Sequence, residues 1–203
     1  MKLVVGLGNP GDRYRGTRHN VGFEVLDLLG RRHGLVFDEW KAQGLLADWR
    51  RADERVLLLK PLSFMNLSGG PVVAVRAFFK PDDLLIVCDD VNLPLGRLRA
   101  RANGSEGGHN GLRSIAESLG TTDYPRLRVG VGRGDQRRDL ADHVLGRFEP
   151  DERGAVEDAT TRAADAVETW ISDGLMKVMN VFNRVEGDGQ EPDDAARRPD
   201  GVS

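Results

Sequence analysis

Residues 3–7, Leu-Val-Val-Gly-Leu, form a short apolar, β-branched run that breaks at once into a loop. Such a run reads as a buried strand. The segment from Gly6 to Asn20 then gathers Gly8, Asn9, Gly11, Tyr14, Arg18, His19 and Asn20. Asparagine, arginine and histidine pack poorly in a core. In open α/β sheets, the loops that leave strand ends carry the chemistry. A chain that begins this way is constrained to a layered α/β arrangement whose first loop rims a site.

The rest of the chain keeps the alternation. Asn20 stands where a helix over residues 21–32 needs a cap, and Gly34 stops that helix. Residues 44–50 and 55–60 read as paired strands around an Ala-Asp-Glu turn, with Pro61 ending the second. Ser68 is placed to cap a helix carrying Val72, Val73, Val75, Phe78 and Phe79. Residues 84–88 make the clearest central strand, ending in Asp89-Asp90. A basic strand over 97–101, a glycine-rich loop over 103–108, a helix over 110–119 and a buried strand over 127–131 follow. Helices fill 151–172 and part of 175–182. Strands alternating with helices argue for one α/β domain over residues 1–185, and the adjacent strands at 44–60 make its sheet mixed. From Glu186 onward, six acidic and two basic residues and almost no large apolar side chain predict a disordered tail over 186–203.

Charge is uneven. The net formal charge is −3, yet the body before the tail sums to +1. Residues 95–138 hold nine arginines against four acids. That excess suits a local anion-binding surface, although a set of solvated strand and loop residues is the plainer account. One cysteine, Cys88, rules out an intramolecular disulfide framework and fits a reducing compartment. No apolar run approaches a membrane span, and no secretory core follows the first methionine. The expectation is a cytoplasmic protein without a membrane partner.

Several residues carry possible chemistry. His19 suits general-base work near neutral pH, and equally a loop histidine bonded to a carbonyl. Asp89 ends an apolar strand where it can hold one ring nitrogen of His19; Asp90 is the immediate alternative, and both can cap the following turn. Asn9, Asn66 and Asn110 sit at three element junctions, as caps or as donors that hold a carbonyl and a water. Gly6-x-Gly8-x-x-Gly11 matches a dinucleotide fingerprint, but Pro10 interrupts it and the helix starts only near Asn20, so a nicotinamide enzyme ranks last. The four histidines show no paired metal-ligand spacing, and no Gly-x-Ser-x-Gly elbow occurs. Cys88 reads as an inert core thiol. Hydrolysis by an activated water is the simplest use of His19.

With these residues assembled, the chain closely resembles the bacterial peptidyl-tRNA hydrolase family. The resemblance runs from about Lys2 to Asn183 and rests on GLGNPG (6–11), Tyr14, TRHNVG (17–22), KPLSFMNLSG (60–69), CDDVNLPLGRLRARANGSEGGHNGL (88–112) and YPRLRVGVGRG (124–134). It implies a single-domain three-layer α/β/α sandwich with a twisted, mixed, mostly parallel sheet. It also implies an esterase that frees peptides from tRNA, a monomer with no cofactor and no obligate protein partner. Carried over, His19 is the catalytic base, Asp89 its partner, and Asn9 a catalytic amide. Tyr14, Phe64, Met65, Asn66, His109 and Asn110 surround the substrate, and Arg101 and Arg128 grip the 5′-phosphate of the tRNA. The chain departs from the family at Cys88, where many relatives have histidine, and at Ser105-Glu106, which interrupts a stretch often richer in glycine. A non-hydrolytic RNA-binding relative is the alternative.

Overall fold

A computed structural model describes residues 1–41, 43–52, 54–134 and 139–184. The acidic segment 186–203, with Arg137 and Arg138, lies outside the described residues. The strands are β1 (Lys2–Gly6), β2 (Asp38–Trp40), β3 (Gly44–Arg50), β4 (Arg55–Pro61), β5 (Asp83–Asp90), β6 (Leu98–Arg101) and β7 (Arg126–Gly130). The helices are α1 (Val21–His33), α2 (Gly69–Phe79), α3 (Asn110–Leu119), α4 (Leu140–Leu145), α5 (Arg153–Asp173) and α6 (Leu175–Phe182). The seven strands form one sheet in the order β2-β3-β4-β1-β5-β7-β6. Pairs β4-β1, β1-β5 and β5-β7 are parallel; the remaining pairs are antiparallel. All strands except β3 and β6 therefore run the same way, and the sheet is mixed but mostly parallel.

The two-residue period of the strands builds the two faces. On β1, Val4 joins a core with Val21, Val25, Leu58, Leu85, Val87 and the alanines and Trp170 of α5. Its neighbours Leu3 and Val5 join the opposite core with Val72, Val75, Ile86, Cys88, Leu112 and Ile115. Helices α1 and α5 thus cover one face and α2 and α3 the other, the three-layer sandwich expected from the sequence. Cys88 is fully buried among apolar side chains, and that burial pushes its thiol up, out of the nucleophilic range.

Three local expectations need correction. Neither Asn20 nor Ser68 caps a helix with its side chain. Asn20 is spent on the loop after β1, and the Ser68 hydroxyl donates to the Met65 carbonyl at 2.8 Å. The cap of α3 is supplied by the His109 ring rather than by Asn110. Strand β2 and helix α4 are additional to the expected elements. At the other edge of the sheet, Asn183 takes the place of a strand neighbour: its side chain accepts from the Ala100 N–H at 2.6 Å and donates to the Ala100 carbonyl at 3.0 Å. None of the described helices is long and apolar enough to cross a membrane.

Candidate active site

The loop between β1 and α1 is tied at both ends. Asn9 and Asn20 bond reciprocally: the Asn9 N–H donates to Asn20 Oδ1, and Asn20 Nδ2 donates to the Asn9 carbonyl, both at 2.9 Å. Thr17 pairs with Arg147 across an isolated bridge, and the Arg18 N–H donates to the Gly146 carbonyl at 3.0 Å. The Arg18 guanidinium reaches Glu152 at 2.5 Å and lies over the Phe148 ring. His19 sits between these clamps in a single 3-10 turn, Arg18–Asn20. Its ring meets the carboxyl end of β5.

There, His19 Nδ1 lies 2.8 Å from Asp89 Oδ1. The carboxylate is almost wholly buried. Burial alone would push it up, but His109 and His19 outweigh that, by the charge each carries when protonated in acid and by their hydrogen bonds, and hold it well below the usual carboxylate range. An acceptor at Nδ1 fixes the proton there and leaves the Nε2 lone pair free. Nε2 has no partner among the described residues, and His19 lines a cleft of about 690 Å³.

Asp89 Oδ1 has a second donor. His109 Nε2 approaches it at 3.0 Å. The other nitrogen of that ring, Nδ1, accepts from the Gly111 and Leu112 N–H groups at 3.1 and 3.3 Å, capping α3. Gly111 allows this closeness, since a Cβ there would sit 2.5 Å from Met65 Sδ and 3.0 Å from the His109 ring. His19, Asp89 and His109 bring three potential metal-ligand atoms within 4.8 Å, which their spacing along the chain does not show. Their bonding opposes that use. The Nδ1 of His109 is committed as an acceptor, so its proton lies on the nitrogen a metal would need.

The cleft gathers most of the expected residues: Asn9, Tyr14, Phe64, Met65, Asn66, Asn110 and Arg128 all line it with the two histidines and Asp89. Asn9 is buried, and its Oδ1 accepts the Met65 N–H at 2.8 Å, which turns its amide N–H₂ into the one group it can offer a ligand. Asn66 and Asn110 are exposed on the cleft walls, as is Phe64. Met65 is buried at its floor. Arg128 is already engaged, by Asp90 at 3.0 Å and by the Ser105 carbonyl at 2.7 Å. Arg101 is exposed on β6 and is not among the lining residues. Glu106, marked in the sequence only as a departure from the family's glycine-rich stretch, also lines the cleft, and sequence reasoning missed Arg113 and the apolar wall from α4: Leu140, Ala141, Val144 and Leu145. A signal for that wall exists in Asp139, whose Oδ1 accepts the Ala141 N–H at 2.9 Å, followed by apolar residues at 140, 144 and 145.

Among the described residues lining this cleft there is no serine, threonine or cysteine. A histidine backed by a buried aspartate, ringed by side-chain amides at the carboxyl edge of a mixed α/β sheet, is the arrangement that suits a hydrolase of the water-activating class. The comparisons narrow the class. The family model for peptidyl-tRNA hydrolase matches residues 3–190, and the chain belongs to that family. It is 51% identical over 186 residues to a peptidyl-tRNA hydrolase of Chloroflexus aurantiacus, covering 90% of this chain and 99% of that one. It is 46% identical to the Symbiobacterium thermophilum protein of the same name, at 90% and 98% coverage. Among solved structures, a peptidyl-tRNA hydrolase from Acinetobacter baumannii superposes with a TM-score of 0.83 at 33% identity, covering 90% of this chain and 94% of that one.

Proposed function

We propose that His19 is the base with which this enzyme performs the reaction of its family, hydrolysis of the ester joining a peptide to tRNA. The observation that carries this reading is the 2.8 Å bond between His19 Nδ1 and Asp89 Oδ1, which leaves Nε2 open to the cleft. A water held at Nε2 gives up a proton as its oxygen attacks the ester carbonyl carbon. The carbonyl electrons move to oxygen, and the N–H₂ of Asn9, with the amides of Asn66 and Asn110, donates to the developing charge. The tetrahedral intermediate then collapses, the bond to the 3′-oxygen of the tRNA breaks, and that oxygen takes the proton from His19 Nε2. The products are a peptide carboxylic acid, which loses its proton to solvent, and a tRNA with a free terminal hydroxyl. Asp89 steadies the transient imidazolium without itself accepting a proton.

Recognition of the tRNA falls to the rest of the cleft. Tyr14 and Phe64 offer ring faces for the terminal base, and Arg101 and Arg128 the cationic groups for the 5′-phosphate. An RNA-binding role without hydrolysis would need neither the buried carboxylate nor an imidazole nitrogen left open to solvent. The test is release of the peptide from an N-blocked aminoacyl-tRNA. The expected result for His19→Ala is a fall in turnover of about 10²–10⁴ with tRNA affinity retained. Turnover near the wild-type level in that variant would end the assignment.

A further inference from the structure

His109 has both of its ring nitrogens committed. Nδ1 receives the Gly111 and Leu112 N–H groups of the first turn of α3, and Nε2 meets Asp89 Oδ1 at 3.0 Å. The same oxygen accepts from His19 at 2.8 Å. The two imidazoles stand 4.9 Å apart with their planes at 48°, so they converge on one oxygen rather than stack. One acceptor serving two donors is a weaker acceptor for each.

From this shared oxygen we propose that His109 is a positioning residue that tempers the basicity of His19 by competing for its carboxylate. The inference rests on His19 as the base but makes a separate claim. A carboxylate oxygen divided between two imidazole donors supports the imidazolium of His19 less than it would if it served His19 alone. The bonds at Nδ1 make this a fixed influence, because they hold the ring and its tautomer in place through the end of α3. The other charged or titratable groups lining the cleft with the pair are Tyr14 from the first loop, Asp90 of β5 with Arg128 of β7, and Glu106 and Arg113 of the segment that carries His109. Helix α4 presents only apolar side chains to the cleft. None of these is hydrogen-bonded to Asp89 or to either imidazole, so the competition at Oδ1 is confined to His19 and His109.

Two substitutions separate the two ends of the ring. In His109→Asn, the amide oxygen can take the place of Nδ1 and keep the cap of α3, but the side chain is too short to reach Asp89. In His109→Gln, the longer amide can donate to Asp89 and loses the cap. The experiment measures the pH–rate profile of peptide release, the titration of the His19 ring by NMR, and the melting temperature for each variant. For His109→Asn, we expect the melting temperature to hold, while the acid limb and the His19 titration both move to higher pH. For His109→Gln, we expect the melting temperature to fall and the titration to return toward that of the wild type. A His19 titration unchanged, or moved to lower pH, in His109→Asn overturns the proposal. The NMR readout does not depend on turnover, so it stands even if His19→Ala shows that the base is another group.

Discussion

Arg101 and Arg128 lie on one face of two paired strands, since register sets Arg101 beside Arg126 and Arg99 beside Arg128. Their surroundings differ. Arg128 is half-buried against the buried Asp90 and a loop carbonyl, whereas Arg101 is exposed. Arg126, between them, is fully buried and donates to the carbonyls of Gly104, Ser105, Thr122 and Tyr124. Burial pulls its guanidinium down, and it serves as a rivet for the glycine loop rather than as a surface charge. The arginine excess in this stretch is therefore partly internal. The two outer positions should separate in experiment. Arg101→Ala should leave the urea midpoint unchanged and reduce the slope of log K against log salt for tRNA by about 0.7–0.9, one phosphate contact. Arg128→Ala should also cost about 1–3 kcal/mol of stability, because Asp90 stays buried without its partner. Equal urea midpoints for the two variants would contradict the burial argument.

Helix α1 reaches the sheet through a glycine. A Cβ at Gly22 would lie 2.5 Å from the backbone nitrogen of Leu7 and from the carbonyl oxygen of Val87, and neither can yield. Gly154, in the first turn of α5, has nothing within 4 Å of the same position. Alanine favours a helix over glycine by about 1 kcal/mol at each. Gly154→Ala should therefore raise the melting temperature slightly. Gly22→Ala should destabilise by about 1–3 kcal/mol and lower turnover, since it displaces the helix that begins two residues after His19. If thermal unfolding ranked the two the other way, the close approach of α1 would be wrong. The elements legible in the sequence were those with local causes: α3 over Asn110–Leu119 as expected, and β3 with β4 around a tight turn. The site was legible where a residue type has few uses, as with His19 and Asp89. The caps at Asn20 and Ser68 were misread because each side chain found a competing partner, Asn9 across the loop and Met65 within its turn. Strand β2 is only three residues long, too short for a period to show, and the double role of His109 depends on a contact across twenty residues.

Across the whole molecule, two partly or wholly buried carboxylates answer pH with opposite signs. Asp89 is held low, so its contribution is present above the ordinary carboxylate range and is lost only in strong acid. Glu24 on α1 goes the other way. Burial pushes its carboxyl up to about 7, nearby Asp27 adds to this, and Arg153 and Arg31 oppose it. A group whose folded value lies above its unfolded one binds protons more readily when folded. Below about 4.5, the reference for Glu24, both states are protonated and nothing is lost. As the pH climbs from there to about 7, the unfolded chain ionises first, and stability falls. Above that, the folded protein carries a poorly solvated charge at full cost. Glu24→Gln mimics the protonated acid at every pH, so it isolates this contribution from all others. In urea titrations, the variant and the parent should have similar stability near pH 4.5, and the variant should be more stable by about 1–3 kcal/mol at pH 8. The gap should open across the interval in which Asp89 is already ionised in both states, which assigns it to Glu24. A difference between the two proteins that stays constant from pH 4.5 to pH 8 would show that Glu24 is solvated in the folded state rather than held up by burial.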